Sequence, residues 1–203
     1  MQKLSDLKLQ GKRVLIRVDY NVPMYDGQVQ NDFRVRASLP TIKHCLDNGA
    51  SVVLMSHLGR PKGEINRDMS LDPVAFDVED LLDIDVHFSN DCISPESIKL
   101  SQSLKPGEIH LLENLRFHAA ETENEDTFSL LLAQHGDVYV NDAFGTAHSA
   151  HASNVGVVNH IPVAVPGFLM EKEWQYLSEK LENPEQPYAV ILGGAKVAGK
   201  IEL

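Results

Sequence analysis

The sequence contains few cysteines, which limits the kinds of site that it can build. Cys45 and Cys92 are present among 203 residues, and neither belongs to a close-spaced metal or redox motif. A small disulfide-stapled scaffold and a cysteine-rich metal centre are therefore excluded. We expect two reduced thiols, as is typical of cytosolic proteins.

Positive charge and long apolar runs are also scarce. The chain carries 18 Lys and Arg against 29 Asp and Glu, a formal net charge of -11, which argues against general binding to nucleic acid or anionic membranes. No segment approaches the roughly 18 apolar residues of a membrane span, and the N-terminus lacks the apolar core of a signal peptide. We therefore expect a soluble, cytoplasmic protein, in which an anionic ligand would need a local cluster of arginines.

Short apolar runs alternate with segments of helical spacing, which is the pattern of βαβ units. Hydrophobic residues make up 43% of the chain, enough for a packed core. The predicted strands cover residues 13–18, 51–55, 85–88, 108–112, 137–140 and 188–192. The predicted helices cover residues 34–48, 70–82, 95–100, 122–135 and 171–181. The pattern predicts an α/β fold with a Rossmann-like, three-layer αβα arrangement around a parallel sheet.

Three local signals refine this prediction. Asp26-Gly27 is a turn dipeptide and predicts a small hairpin. Pro40 lies inside the first helical segment, so that helix either begins near Pro40 or is kinked there. The sequence from Thr122 to Glu125 resembles a capping box, which predicts a helix start. The acidic run 121–126 around it predicts a solvated first turn.

Polar side chains follow four of the predicted strands, at the edge where open parallel sheets bind ligands. They are Asp19 and Asn21, His57 and Arg60, Arg116, and the polar stretch 141–148. Arg34 follows the hairpin. Arginine suits a planar, bidentate grip on phosphate or carboxylate, and an aspartate and an asparagine suit a hydroxyl. These groups together predict a site for a small phosphorylated hydroxy acid.

Other interpretations of these residues remain open. Any one arginine can instead pair with a nearby acid, such as Asp32, Glu113 or Asp142. His148 and His151 are spaced like metal ligands, but a zinc site needs further partners and the sequence offers none at suitable spacing.

The C-terminal stretch 194–200 matches G-x-x-x-x-G-K, the phosphate-loop pattern. The following position should be Ser or Thr to hold magnesium, and here it is Ile201, so a phosphate-loop NTPase is disfavoured. A glycine-rich loop at a helix start, with Lys196 and Lys200, still suits phosphate.

Five stretches, RVDYNVP, SHLGRP, LLENLRFH, NDAFGTAH and LGGAKVAGK, resemble those of the phosphoglycerate kinase family and occur in the family's order. The chain is similar to the N-terminal half of that two-domain glycolytic kinase. The resemblance implies a 3-phosphoglycerate-binding domain over residues 1–187 and the start of a hinge to a nucleotide-binding domain over residues 188–203. We expect a monomer that is not a complete catalyst on its own.

The resemblance also implies roles for individual residues in the reversible transfer of a phosphoryl group from 1,3-bisphosphoglycerate to ADP. Arg34 and Lys196 would be catalytic, and Lys196 and Lys200 would contact nucleotide phosphates. Mg²⁺ would accompany ADP or ATP and be held mainly by the other domain, so no metal site is expected here. The substrate-binding residues would be Asp19, Tyr20, Asn21, Arg34, His57, Leu58, Gly59, Arg60, Arg116 and Ser149.

Ser149 departs from the family pattern, because the family has an arginine there that grips the substrate's non-transferring phosphate. This departure, with the expected lack of a nucleotide half, supports an alternative from a different class: a non-catalytic domain of the same fold that binds phospho-anions or a partner.

Overall fold

The computed structural model describes residues 2–179, 187 and 189. The chain divides into two compact units, Met1–Glu171 and Lys172–Leu203. The first unit carries the sheet. In the second unit, the structure describes the end of a helix, a π-helical turn over Gln175–Glu179, and residues 187 and 189. The predicted domain boundary at residues 187 and 188 stays a prediction.

The first unit contains a six-stranded sheet in the order β5-β6-β4-β1-β7-β8, in which every neighbouring pair is parallel. Its strands are β1 Arg13–Arg17, β4 Ser51–Met55, β5 Val86–Ser89, β6 Ile109–Leu112, β7 Val138–Asn141 and β8 Ala164–Pro166. A separate hairpin pairs β2, Met24–Tyr25, with β3, Gln28–Val29. Asp26 and Gly27 both have positive φ in its turn, as a tight hairpin requires, so the predicted hairpin is confirmed.

The helices lie between the strands in sequence. Their bounds are α1 Phe33–Asp47, α2 Asp72–Leu82, α3 Pro95–Ser103, α4 Ala119–Glu123, α5 Asp126–Ala133 and α6 Phe168–Trp174. Short 3-10 turns cover Leu4–Asp6, Arg67–Met69, Leu115–Phe117, Phe144–Thr146 and Gly156–Asn159. None of the helices in residues 2–179 is long and apolar enough to cross a bilayer.

The sheet is buried on both faces, which explains why its strands are continuous apolar runs rather than alternating ones. Val14 and Ile16 of β1 belong to one core cluster, which α1 and α2 complete. Leu15, on the opposite face of the same strand, belongs to a second cluster with Phe128 and Leu132 of α5. The predicted three-layer αβα architecture is therefore confirmed.

α1 begins at Phe33, close to the predicted start at residue 34, so the alternative start near Pro40 was wrong. Pro40 has no N–H group to donate to the carbonyl of Arg36. Both residues lie on the exposed side of the helix, where solvent can satisfy that carbonyl.

The predicted capping box was also wrong. Thr122 lies inside α4, and the N-cap of α5 is Glu125, whose carboxylate accepts from the backbone N–H groups of Thr127 and Phe128 at 3.1 and 2.7 Å. Glu121, expected in a solvated turn, is completely buried.

Strand β8 was not predicted at all. The last predicted helix, over residues 171–181, begins at Phe168 in the structure. Its predicted end at residue 181 lies outside the described residues. The predicted strand 188–192 also lies outside them, except for Ala189, which is exposed and in no strand. Both cysteines are buried and free, as expected.

Candidate functional site

The loops that follow β1, β4, β6 and β7 enclose a cleft of about 340 Å³ at the carboxyl edge of the sheet. Arg34, in the first turn of α1, completes it. The residues that line the cleft are Asp19, Asn21, Arg34, His57, Gly59, Arg60, Arg116, Gly145, Thr146, His148 and Ser149. These four strands thus deliver polar groups from distant parts of the sequence to one place.

The charge of the cleft is opposite to that of the molecule. Three arginines line it with one carboxylate, Asp19, whereas the whole chain carries a formal net charge of -11. Asp19 forms an ion pair with Arg34, whose side chain is half-exposed. Arg34 therefore pairs with a residue of the cleft rather than with Asp32, which pairs with Arg36. The remaining positive charge favours an anionic ligand.

His57 enters the cleft as a neutral donor. Burial, helped by the nearby Arg17, Arg116 and Arg34, lowers the pKa of His57 to about 2. The guanidinium of Arg17 lies 3.1 Å from Nδ1 of His57. Because a guanidinium can only donate, Nδ1 accepts and the proton is on Nε2. The imidazole can therefore donate one hydrogen bond to a ligand oxygen at any ordinary pH.

A buried polar layer supports His57 from behind. Arg17 is completely buried and donates through Nε to Ser153 Oγ at 2.9 Å and through a terminal nitrogen to the carbonyl of Val18. Ser153 in turn donates to the buried carboxylate of Glu121 at 2.6 Å. Burial lowers the pKa of Arg17, and Glu121 acts in the opposite direction. This layer fixes the orientation of the imidazole.

Asn114 ties three loops of the site together. Its carbonyl oxygen accepts from the backbone N–H groups of Leu58 and Arg116 at 3.2 and 3.0 Å. Its amide nitrogen donates to the carbonyls of Leu58 and Met69 at 2.7 and 2.8 Å. The side chain is completely buried, and a satisfied buried amide of this kind holds its partners rigidly. Asn114 therefore sets the distance between the loops that carry Arg60 and Arg116.

Backbone and side-chain bonds also fix the floor of the cleft. The Gly59 N–H donates to Asn21 Oδ1, and its carbonyl accepts from Arg116, both at 2.9 Å. Gly59 has φ +65, and a Cβ there would come within 2.8 Å of the Met69 sulfur. A glycine is therefore favoured at this position.

The loop after β7 is held by Asn154, which donates to the carbonyls of Thr146 and Ser149 at 2.8 and 3.2 Å. Gly145 lies against Asp19, since a Cβ on it would be 2.8 Å from the carboxylate oxygen Oδ2. Asp19 is therefore positioned from two sides, by Arg34 and by this loop.

The structure does not bring every predicted residue to the cleft surface. The Tyr20 side chain is buried and lies 2.9 Å from Ser38 Oγ, and Leu58 is buried beside Asn114. Neither side chain lines the cleft. Lys196 and Lys200 lie outside the described residues.

The stretch 141–148 was predicted to lie at this edge, but its members Gly145, Thr146 and His148, which line the cleft, were not named as site residues. Sequence reasoning missed supporting residues beneath the cleft, among them Arg17 and Glu121. An arginine inside an apolar strand was the available signal for Arg17, because a buried guanidinium needs acceptors around it. No pattern marked Glu121 as buried.

A parallel α/β domain with an arginine-rich cleft at its carboxyl edge belongs to the class of proteins that handle small phosphorylated or carboxylated molecules. Residues 4–203 match the family model described as phosphoglycerate kinase. The chain belongs to the phosphoglycerate kinase family.

Individual relatives agree with this assignment. The chain is 54% identical over 200 residues to the phosphoglycerate kinase of Moorella thermoacetica. This alignment covers 98% of the chain and 51% of the relative. The chain is 50% identical over 206 residues to that of Prosthecochloris aestuarii, covering 100% and 52%. The solved phosphoglycerate kinase structure from Pyrococcus horikoshii aligns with a TM-score of 0.88 at 36% identity, over 100% of this chain and 51% of that one. The structure from Coxiella burnetii aligns with a TM-score of 0.85 at 38% identity, over 98% and 50%. The chain therefore spans about half the length of the curated relatives it matches.

Proposed function

We propose that this chain is the phosphoglycerate-binding half of a phosphoglycerate kinase, and that 3-phosphoglycerate or 1,3-bisphosphoglycerate binds in the cleft. The observation that carries the proposal is the gathering of three arginines, a neutral histidine donor and Asp19 around about 340 Å³. A three-carbon acid with a phosphate at one end uses every one of these groups.

The arrangement suggests how the substrate lies. Arg60 and Arg116 come from neighbouring loops that Asn114 ties together, and they grip the non-transferring phosphate with charge-assisted bonds. Asp19 and Asn21 lie on the loop after β1 and bind the hydroxyl and carboxylate end, with the His57 donor beside them. Arg34, half-exposed at the mouth, faces the carboxyl group that gains or loses the phosphoryl group.

The proposed reaction needs no nucleophile from this chain. A β-phosphate oxygen of ADP attacks the phosphorus of the acyl phosphate, the bond from phosphorus to the carboxyl oxygen breaks, and the carboxylate leaves with the electron pair. Catalysis of such a transfer consists mainly of positioning and charge neutralisation. Arg34 neutralises charge at the carboxyl end, and Lys196 acts on the transferring group.

The family implies Mg²⁺ together with ADP or ATP. Within residues 2–179, the cleft offers one carboxylate, Asp19, which already pairs with Arg34. Magnesium prefers several oxygen ligands in octahedral geometry, so this donor set does not fit it. The ion and the nucleotide are held elsewhere, and no step by these residues runs through the metal.

Calorimetric titration with 3-phosphoglycerate tests the proposal. Arg60→Gln removes an exposed charge and should weaken binding about 10- to 100-fold, the equivalent of one charge-assisted hydrogen bond. Arg36→Gln removes an arginine of α1 that pairs with Asp32 away from the cleft, and should leave the affinity unchanged. Equal losses in both variants would show that only general charge matters and would overturn the proposed site.

Ser149 favours a second candidate, a domain that binds phospho-anions without catalysis, because the cleft holds a neutral side chain where the family has an arginine. Mixing the chain with the C-terminal half of the Moorella thermoacetica relative separates the two. Turnover that depends on both halves supports the kinase proposal. Tight 3-phosphoglycerate binding without any turnover in the mixture favours the second candidate.

A further inference from the structure

A second cluster of side chains, of the types that ligate metal ions, lies at the same edge of the sheet, beyond the cleft. Asp91 and Cys92 follow β5, and His118 follows the turn Leu115–Phe117 after β6. Because β5 and β6 are paired in parallel, the two loops meet. One carboxylate oxygen, the cysteine sulfur and one imidazole nitrogen all lie within 4.8 Å of one another. None of the three residues lines the cleft.

Local contacts hold these residues in place, and the second carboxylate oxygen of Asp91 faces the imidazole. Asp91 Oδ1 accepts from the N–H groups of Ile93 and Ser94 at 2.6 and 3.0 Å, while Oδ2 lies 3.4 Å from His118 Nε2. The Cys92 carbonyl accepts from His135 at 3.0 Å. The cluster is thus organised before any ligand arrives, which lowers the entropy cost of binding.

We propose that Asp91, Cys92 and His118 form a binding site for a thiophilic divalent cation of the Zn²⁺ class. Sulfur, imidazole nitrogen and carboxylate oxygen are the three ligand types that Zn²⁺ takes in proteins, and three protein ligands with water in the fourth position complete a tetrahedron. The sulfur excludes Mg²⁺ and Ca²⁺, which require oxygen ligands. On binding, the Cys92 thiol gives its proton to solvent and the thiolate bonds the metal.

The burial pattern suits entry from one side. Cys92 is completely buried, whereas the side chains of His118 and Asp91 are 28% and 37% exposed. An ion therefore meets the imidazole and carboxylate first and reaches the sulfur last. The His118 ring packs on Phe128, with ring centroids 5.4 Å apart, so its approach direction is fixed.

An ordinary ion pair between Asp91 and His118 does not account for the whole cluster. A partly exposed pair of this kind stabilises a fold only slightly and needs no third group. The sulfur at the third corner is what makes a soft metal the fitting ligand. Bound metal would join the β5 and β6 loops, and the second of these also carries Arg116, two residues before His118.

Co²⁺ titration of the chain, followed by absorption spectroscopy, tests this site. The wild type should show a thiolate-to-cobalt charge-transfer band with tetrahedral ligand-field bands, and added Zn²⁺ should remove them. Cys92→Ser should abolish the charge-transfer band and weaken binding at least 10-fold. Cys45→Ser is the matched control, since Cys45 is the other buried free cysteine and lies in the opposite core cluster, and it should keep the band.

His118→Gln gives an independent test at a partly exposed position, so that it does not depend on how the protein tolerates a change at buried Cys92. It should also weaken Co²⁺ binding at least 10-fold while circular dichroism stays that of the wild type. A wild-type protein without the charge-transfer band, or a band that survives in folded Cys92→Ser, would overturn the proposal. Unchanged binding in His118→Gln would overturn it equally.

Discussion

Ser149 is the residue at which this cleft departs most clearly from its family. A serine offers a short neutral hydroxyl, whereas arginine offers a longer reach, a full charge and a bidentate fork. A hydrogen bond to a charged group contributes roughly 1.5–3 kcal/mol, and repulsion from Arg60 and Arg116 reduces that gain. We therefore expect Ser149→Arg to tighten 3-phosphoglycerate binding about 5- to 30-fold.

Calorimetry at two ionic strengths measures this effect, which should shrink as salt rises because part of it is Coulombic. Ser103→Arg, at an exposed serine of α3 outside the cleft, adds the same charge and should not tighten binding. Equal affinities of Ser149→Arg and wild type at low salt would show that position 149 does not face the phosphate.

Gly145 provides a second prediction at this scale. In Gly145→Ala the new Cβ would lie 2.8 Å from Asp19 Oδ2, so the carboxylate must move away from Arg34. We expect a loss of 3-phosphoglycerate affinity of about 10-fold, the size of one ordinary hydrogen bond, with little change in Tm. In an Asp19→Ala background the same change should have almost no effect, because the two residues act together. Additive losses in this double-mutant cycle would refute the coupling.

The sequence predicted the residues that line the cleft better than the residues that support them. Asp19, His57 and Arg60 were recognisable because they stand directly after apolar strands. Glu121 was not recognisable, because nothing in an acidic run indicates which carboxylate is buried and accepts a hydrogen bond from Ser153. The proposed metal site was equally hidden, since its ligands come from loops that only the pairing of β5 with β6 brings together.

At the scale of elements, two buried histidines link α3, β6 and the loop after α5. Ser101 Oγ lies 2.8 Å from His110 Nδ1 and 2.6 Å from His135 Nδ1. Nε2 of His135 donates to the Cys92 carbonyl, so its Nδ1 must accept from Ser101, and Ser101 must accept from His110. Ser101 has one hydroxyl proton and gives it to His135, so a proton added to Nδ1 of His135 would break this pattern.

This arrangement predicts that acid destabilises the fold. Burial lowers the pKa of His110 to about 3 and that of His135 to about 4, against about 6.5 in the unfolded chain. Both groups are neutral in both states above pH 6.5. As the pH falls below 6.5, the unfolded chain binds protons that the folded protein does not, so the free energy of unfolding falls by about 1.4 kcal/mol per pH unit for each histidine.

Urea unfolding between pH 7.5 and 5, with a chelator present, measures this slope. Asp142 opposes it, because burial raises its pKa to about 6 and the folded state then binds the extra proton. His110→Gln should show a shallower slope than the wild type. A slope that is flat in the wild type, or identical in the variant, would contradict the prediction.

Elements were predictable where one local signal dominated. The strand 51–55 was predicted with its observed bounds, because a short apolar run ends at a glycine- and proline-rich loop. The start of α2 was predicted to within two residues, from the turn signal and Pro73 near its start. β8 was missed because it is three residues long and contains a proline. Its strand character comes from pairing with β7 at the sheet edge, which is a tertiary effect.

At the scale of the whole molecule, the proposed reaction needs two aligned reactants, of which the cleft would hold one. A misplacement of about 1 Å can cost about 100-fold in rate, and the chain spans about half of its relatives' length. We therefore expect the 203-residue chain to bind 3-phosphoglycerate without appreciable kinase turnover. A coupled assay that found ordinary turnover by rigorously purified chain would refute this.

The cleft is assembled from segments that lie far apart in sequence, from Asp19 to Ser149, and the strands that present them form the middle of the sheet. A ligand that binds only when all of these segments are in place acts by mass action on the folding equilibrium itself. At 100 times its dissociation constant it adds about 2.7 kcal/mol to the free energy of unfolding. Amide hydrogens in β1, β4, β6 and β7 that exchange only through global opening should therefore all slow by the same factor, about 100-fold, so that the small molecule acts as a cross-link spanning the whole first unit.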